Sequence, residues 1–186
     1  ERLREGVEEA LQILGHGFLS HPDNGRLRAA LADGNLTPRG YFNQLLRLVY
    51  RVIFLMTVEE RDLLHPPAPP LPPESPTAAR DLYAAGYSLR SLGQRSLRRS
   101  AHDQFSDLWE RLRIVFRCLA AGEPRLGLPA LSGLFAPSQC AALDASRLAN
   151  RALLGAMFRL SWIREQSGLS RVNWRDMGPE ELGSVY

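Results

Sequence analysis

Lysine is missing from this chain: all 23 of its basic residues are arginine. That absence removes chemistry. A Walker A phosphate loop, a Schiff-base lysine and a lysine-dependent nuclease centre are all excluded within these residues. Selection for phosphate binding would not delete every lysine, since lysine also binds phosphate, so GC-rich bacterial coding explains the bias better. Cysteine is nearly absent too. Cys118 and Cys140 stand on separate segments among apolar neighbours, which suits small core residues better than a disulfide or a ligand pair. No nucleophile elbow, paired-cysteine motif or glycine-rich loop after a strand is present. An uncharged apolar run of the ~20 residues that a membrane span requires is missing as well. The longest apolar stretch carries Arg47 and Arg51 near its middle, which would be costly in lipid. No signal peptide opens the chain, so a reducing, cytoplasmic setting is the default expectation.

What is present is the composition of an ordinary globular protein, with 45% hydrophobic and 23% charged residues in a chain of 186. The net charge of +3 and pI near 9.2 lean basic without marking a partner. Helical periodicity runs nearly throughout. The stretch from Pro38 to Leu64 has Tyr41, Phe42, Leu45, Leu48, Val49, Val52, Ile53, Leu55 and Met56 around almost its whole circumference. It is expected to be a buried central helix, with Asn43, Gln44, Arg47 and Arg51 as its narrow solvent strip. Thr37 and Pro38 form its N-cap and first-position pair.

Around it the spacing predicts helices over residues 2–19, ended by Gly15, Gly17 and His21-Pro22, and over 25–32. Further helices are predicted from Thr77 to Tyr83, from Ser88 to about Arg99, from His102 to Ala121 with Phe105 on the apolar face, and over 145–164 with Asp144 as N-cap. Seven prolines between Pro66 and Pro76 make a stiff spacer, readable as a loop between helices or as a ligand for an adaptor domain. Residues 125–137 are apolar for a loop and are expected to fold over the core. A short extended piece spans Arg171 to Trp174. Gly178 and Pro179 then open another helix that the chain leaves unfinished at Tyr186, as if cut from a larger protein. The expected fold is therefore all-α, an irregular multi-helix bundle around residues 38–64. Residues 1–170 form a scaffold domain and 171–186 a junction.

Candidate chemistry is sparse. Glu59, Glu60 and Asp62 make an acidic cluster around Arg61, readable as a solvated or salt-bridged helix end or as a metal-dependent acid site. His16 and His21 have no cysteine or carboxylate company and suit surface positions. Basic charge concentrates in Arg90, Arg95, Arg98 and Arg99, whose helix has only Leu89, Leu92 and Leu97 as apolar anchors. That face is either simply solvated or a surface for phosphates.

Three stretches, LLRLVYRVIFLMTVEERDLL at 45–64, GLPALSGLFAP at 127–137 and RVNWRDMGPEELGSVY at 171–186, resemble the helical region that precedes the catalytic domain in large bacterial adenine-N6 DNA methyltransferases. These belong to restriction-modification and phage-defence systems. The last stretch is the most specific, an Arg-Val-Asn-aromatic-Arg-Asp run followed by a Leu-Gly-x-x-Tyr helix. The family's methyl-transfer motif, an Asp, Asn or Ser before Pro-Pro and an aromatic, is not here, because the Pro-Pro pairs are followed by Ala68, Leu71 and Glu74. The resemblance implies a non-catalytic scaffold packed on its own methyltransferase domain, duplex DNA as the partner of the parent protein, and S-adenosylmethionine as the parent's cofactor. It places Arg171, Asn173, Trp174 and Arg175 near the junction and adds them to the four arginines of 90–99 as candidate DNA contacts. The competing expectations are a helical protein-interaction scaffold without a nucleic-acid role and a stand-alone metal-dependent hydrolase.

Overall fold

A computed structural model describes residues 1–65 and 76–177. The proline-rich spacer and the helix expected after Gly178 lie outside those residues. Among the described residues the chain is mostly helical, with one two-stranded hairpin. Helix α1 spans Arg2–Ser20, α2 Gly25–Asp33, α3 Pro38–Glu60, α4 Pro76–Gly86, α5 Leu89–Arg95, α6 Asp107–Ala121, α7 Ala141–Asp144 and α8 Asn150–Ser161. Strands β1 (Trp162–Glu165) and β2 (Gly168–Arg171) pair antiparallel, with Trp162 opposite Arg171 and Glu165 opposite Gly168.

Helix α3 begins as its sequence dictates. Thr37 Oγ1 accepts the Gly40 N–H at 2.9 Å, and Pro38 fills the first position, where no donor is needed. The helix is shorter than its apolar pattern and stops at Glu60, because Asp62 turns left-handed at φ 57°. The Leu63 N–H then reaches back to the Val58 carbonyl at 2.9 Å, closing the end as a Schellman motif with aspartate where glycine is usual. Tyr41, Leu45, Leu48, Val49, Val52, Ile53, Leu55 and Met56 are all buried against α1, α5 and α7.

Of the expected solvent strip of α3, Asn43 faces solvent, but Gln44, Arg47 and Arg51 turn to the protein. Gln44 accepts the Ala142 and Leu143 N–H groups, and Arg47 donates to the Gln139 carbonyl. Arg51 is completely buried. Its Nε donates to Leu134 O at 2.8 Å, its Nη2 to Ala136 O at 3.1 Å and its Nη1 to Asp144 at 3.1 Å, with the guanidinium carbon 4.9 Å from the Phe116 ring centre. These polar residues fasten the irregular segment 125–137 and α7 onto the core, so the apolar loop is ordered by a charge that has been taken out of water. The face of α3 that meets water carries Phe42 and Phe54, both more than a third exposed.

Glycine explains a second departure. Helix α1 runs straight through Gly15 and Gly17 and ends at His21 before Pro22. A Cβ on Gly17 would lie 2.6 Å from Ala152 Cβ, and one on Gly6 would lie 2.7 Å from the Arg159 carbonyl oxygen, so these glycines let α1 and α8 approach closely. Val7, Ala10, Leu14 and Phe18 line the buried face, and Phe18 meets the edge of Trp109 at 5.2 Å.

The long helix expected over 145–164 is shorter, Asn150–Ser161, and a separate short helix, Ala141–Asp144, precedes it. Asp144 closes α7 instead of capping α8, since its carboxylate is drawn to Arg51. Ile163 then belongs to β1. Asn150 stands at the start of α8, accepting the Leu108 N–H and donating to Asp103 and Asp107. Helix α6 likewise begins later than its periodicity suggests, at Asp107. Phe105 is left 63% exposed, because the Phe105 and Asp103 carbonyls are used by the Asn150 and Arg151 N–H groups. The arginine-rich helix α5 ends at Arg95, and a 3-10 turn follows at Arg99–Ala101. The packed core extends past the expected boundary at 170, since Val172 and Trp174 are both buried in it. No helix among the described residues is long and apolar enough to cross a membrane.

Candidate functional site

The C-terminal end of α3 and the residues after it, the helices α4 and α5, Arg98 and one residue of α6 line an open cleft of about 580 Å³. Its position follows from one carboxylate. Glu59, in the last turn of α3, accepts the Tyr83 hydroxyl at 2.7 Å and the Leu89 and Arg90 N–H groups at 2.9 and 3.0 Å. It thereby ties the first turn of α5 and the middle of α4 to the central helix. Ser88 caps α5 by accepting the Ser91 N–H at 3.2 Å, and its own hydroxyl donates to the Ala84 carbonyl at 2.7 Å. The free donors at the start of α5 are thus already satisfied by protein groups. Burial raises Glu59 above the usual carboxylate range, against the lowering effect of its N–H and hydroxyl donors and of Arg111. The same burial, with the Glu59 charge beside it, raises Tyr83 well above the ordinary phenol.

Five arginines border this cleft, Arg80, Arg90, Arg95, Arg98 and Arg111, against two carboxylates, Glu59 and Asp62. Arg80 is paired with Asp62. Arg111 reaches in from α6 and is held by its Nη2, which donates to the Ser88 carbonyl at 2.9 Å and to Ser91 Oγ. Its Nε is buried and has no hydrogen-bond partner among the described residues. Burial and the neighbouring Arg95 charge both act against the Arg111 cation and lower its pKa from the usual arginine value. Among the described residues, Arg90, Arg95 and Arg98 make no salt bridge, although the chain has 20 acidic residues to offer. Unneutralised positive charge on a concave wall favours an anion there.

Three of the eight candidate contacts, Arg90, Arg95 and Arg98, are therefore brought together. Arg99 is not, and lies beside a different hollow with His102, Phe158 and Arg159. Arg171 is spent inside the protein, 2.7 Å from the carboxylate of Glu60, in an indentation that adjoins Arg90 and Gln94. Asn173 closes a local turn with Asp176, donating to its carboxylate at 2.7 Å and accepting its N–H at 3.2 Å. Trp174 is fully buried and its indole N–H donates to the Leu160 carbonyl at 2.9 Å, so its ring belongs to the core. Arg175 is exposed, and its carbonyl receives Arg61 Nε at 2.8 Å.

Two arginines of the cleft were not among the sequence candidates. Arg111 shares its amphipathic helix with Arg113 and Arg117, and nothing in their spacing separates the one that turns inward. Arg80 stands alone in α4. Catalytic machinery is not assembled from the acidic cluster. Glu59 is a buried cap, Glu60 pairs with Arg171 and Asp62 pairs with Arg80. No group of three His, Cys, Asp or Glu side chains suited to a metal occurs among the described residues. Both cysteines are free, and burial pushes the Cys140 thiol up to about 11, far from the thiolate that a nucleophile requires. Compared with family models, curated proteins and solved structures, the chain matches none of them.

Proposed function

We propose that this chain is a non-catalytic helical module that holds nucleic-acid phosphates, and that it serves a DNA adenine-N6 methyltransferase of a restriction or phage-defence system. One observation carries the first part. Arg90, Arg95 and Arg98 converge on one cleft with Arg111 behind them, and none of the first three has a carboxylate partner among the described residues. The second part rests on the likeness of residues 45–64, 127–137 and 171–186 to the region that precedes such catalytic domains.

In this reading the contacts position DNA and read no bases, because arginine on phosphate carries no sequence information. Arg175, exposed near the junction, adds to the surface, while Trp174 holds it from inside. Methyl transfer, with S-adenosylmethionine as its cofactor, is given no residue of this chain and belongs to the methyltransferase domain that the module packs against. The setting is the bacterial cytoplasm, where the parent's DNA substrate lies.

Titrating duplex DNA of unrelated sequences into the 186-residue chain across a range of salt tests this. Engagement of three arginines predicts a log–log salt slope of about −3, and each Arg→Gln change at 90, 95 or 98 removes about one unit of slope for all sequences alike. No binding by the folded chain at low salt defeats the reading. It would favour instead a protein-interaction scaffold, for which the apolar groove of about 560 Å³ lined by Phe116, Phe135 and Pro137 is the specific support.

A further inference from the structure

The dimensions of the arginine cleft fit something other than the outside of a duplex. A volume of about 580 Å³ lies inside the range of small-molecule sites, roughly 300–1,000 Å³. A double helix only rests its backbone on a surface, whereas this cleft draws its lining from several elements, Arg111 of α6 among them. The floor is prepared in advance. Arg111 is fixed by the Ser88 carbonyl and Ser91 Oγ, and among the described residues its Nη1 and its buried Nε have no hydrogen-bond partner. The rim is cationic, with Arg95 near enough to Arg111 to disfavour its charge and with Arg98 in no salt bridge among the described residues.

The start of α5 is not part of this anion site, since Glu59 already occupies its N–H groups. That carboxylate also sets a limit on what can enter. A ligand must bring its negative charge to the Arg95, Arg98 and Arg111 side and keep it off Glu59 and Asp62, which requires a compact polyanion with a neutral remainder.

From these features we infer that the cleft is a receptor site for a small phosphorylated ligand of nucleotide size, whose phosphoryl oxygens are taken by Arg95, Arg98 and Arg111. The inference shares with the proposed function only the premise that these arginines meet phosphate. A free nucleotide and a single nucleotide unit of a DNA strand present the same chemistry, and experiment separates the two sources.

The test is calorimetry and thermal shift on the 186-residue chain at low ionic strength, using inorganic pyrophosphate, ADP and a short duplex, each alone and in competition. ADP and pyrophosphate are expected to raise the melting temperature of the wild-type chain. Arg95→Gln and Arg98→Gln, both at exposed positions, should each weaken ADP at least tenfold, while Arg99→Gln on the other face leaves it unchanged. Arg111→Lys, which keeps the charge but loses the planar fork, should also weaken ADP; should that variant not fold, the two exposed variants still decide. Duplex that binds without displacing ADP, or ADP that binds without any duplex binding, leaves the site standing, and the latter result sinks the DNA reading instead. Duplex binding with no effect of ADP or pyrophosphate up to millimolar concentration overturns the site and leaves the DNA reading intact. Equal weakening by Arg99→Gln would also overturn it, because the effect would then be general charge.

Discussion

Arg51 and Arg95 show the two ways in which this lysine-free chain uses arginine. Arg51 is sealed in the core, where two backbone carbonyls, the Asp144 carboxylate and the faces of Phe116 and Phe135 surround its guanidinium. Arg95 borders an open cleft, faces another cation in Arg111 and has no salt bridge among the described residues. The first is saturated by the protein and the second is left for something outside it. Total charge does not distinguish them; the partners do. A guanidinium with all of its directions used is part of the fold, and a cluster with directions to spare is where binding energy is still to be had.

The largest effect that tests this contrast is expected at the core arginine. Arg51→Met keeps much of the volume but removes the donors to Leu134 O and Ala136 O and leaves Asp144 without its partner. Removing one side of a buried ion pair costs about 3–5 kcal/mol, and the partial exposure of Asp144 puts the expected loss near the lower end, about 3 kcal/mol. Urea denaturation measures it. A loss below about 1 kcal/mol would mean that the segment 125–137 is held by its apolar contacts alone, and the contrast with the cleft would collapse.

An intermediate effect belongs to the carboxylate between the two regions. Glu59 is raised by burial, so in the folded chain it keeps its proton to higher pH than in the unfolded chain. Over that window the folded state binds more protons, and the contribution of Glu59 is fully present below its ordinary value near 4.5 and is lost as pH rises through the raised folded value. The slope from one such group is at most about 1.4 kcal/mol per pH unit. Stability measured from pH 4.5 upward should therefore contain a falling component that Glu59→Gln removes. Asp144, raised by desolvation, contributes in the same direction, so the Arg51→Met background should keep its own falling component when Glu59 is neutralised. An unchanged pH profile in Glu59→Gln would show that its donors and Arg111 cancel the effect of burial.

How far the sequence anticipated these regions differs for a physical reason. The helices, the central position of residues 38–60 and the all-α class follow from apolar spacing, which local chemistry sets. Arg51 was expected in water because two polar side chains a helical turn apart read as a solvent strip, and only the return of residues 134–144 over α3 turns that strip into an interface. Gly15 and Gly17 read as stop signals, yet the approach of α8, distant in sequence, makes Gly17 a contact residue. In the cleft, Arg90, Arg95 and Arg98 are visible as a cluster. Arg111 is not, because it comes from another helix and its neighbours Arg113 and Arg117 look the same in one dimension. Trp174 shows the opposite failure: a residue carried by the most specific part of the family resemblance is a buried anchor, and a motif does not say which side of the surface its aromatic lies on.

The smallest effect should come from Arg95 itself, and its sign is the informative part. A surface cation with a carboxylate partner loses stability when neutralised, by a few tenths of a kcal/mol. Among the described residues Arg95 has no such partner, and it repels Arg111, so Arg95→Gln should leave the chain equally stable or slightly more so at low ionic strength. Screening weakens the repulsion as the Debye length shrinks from about 10 Å at 0.1 M salt to about 3 Å at 1 M, so the difference should vanish at high salt. Paired melting curves of the two proteins across that range read it directly. A destabilised Arg95→Gln would reveal that Arg95 is serving the fold after all, as Arg51 does, and would take from the cleft the surplus charge on which its binding role depends.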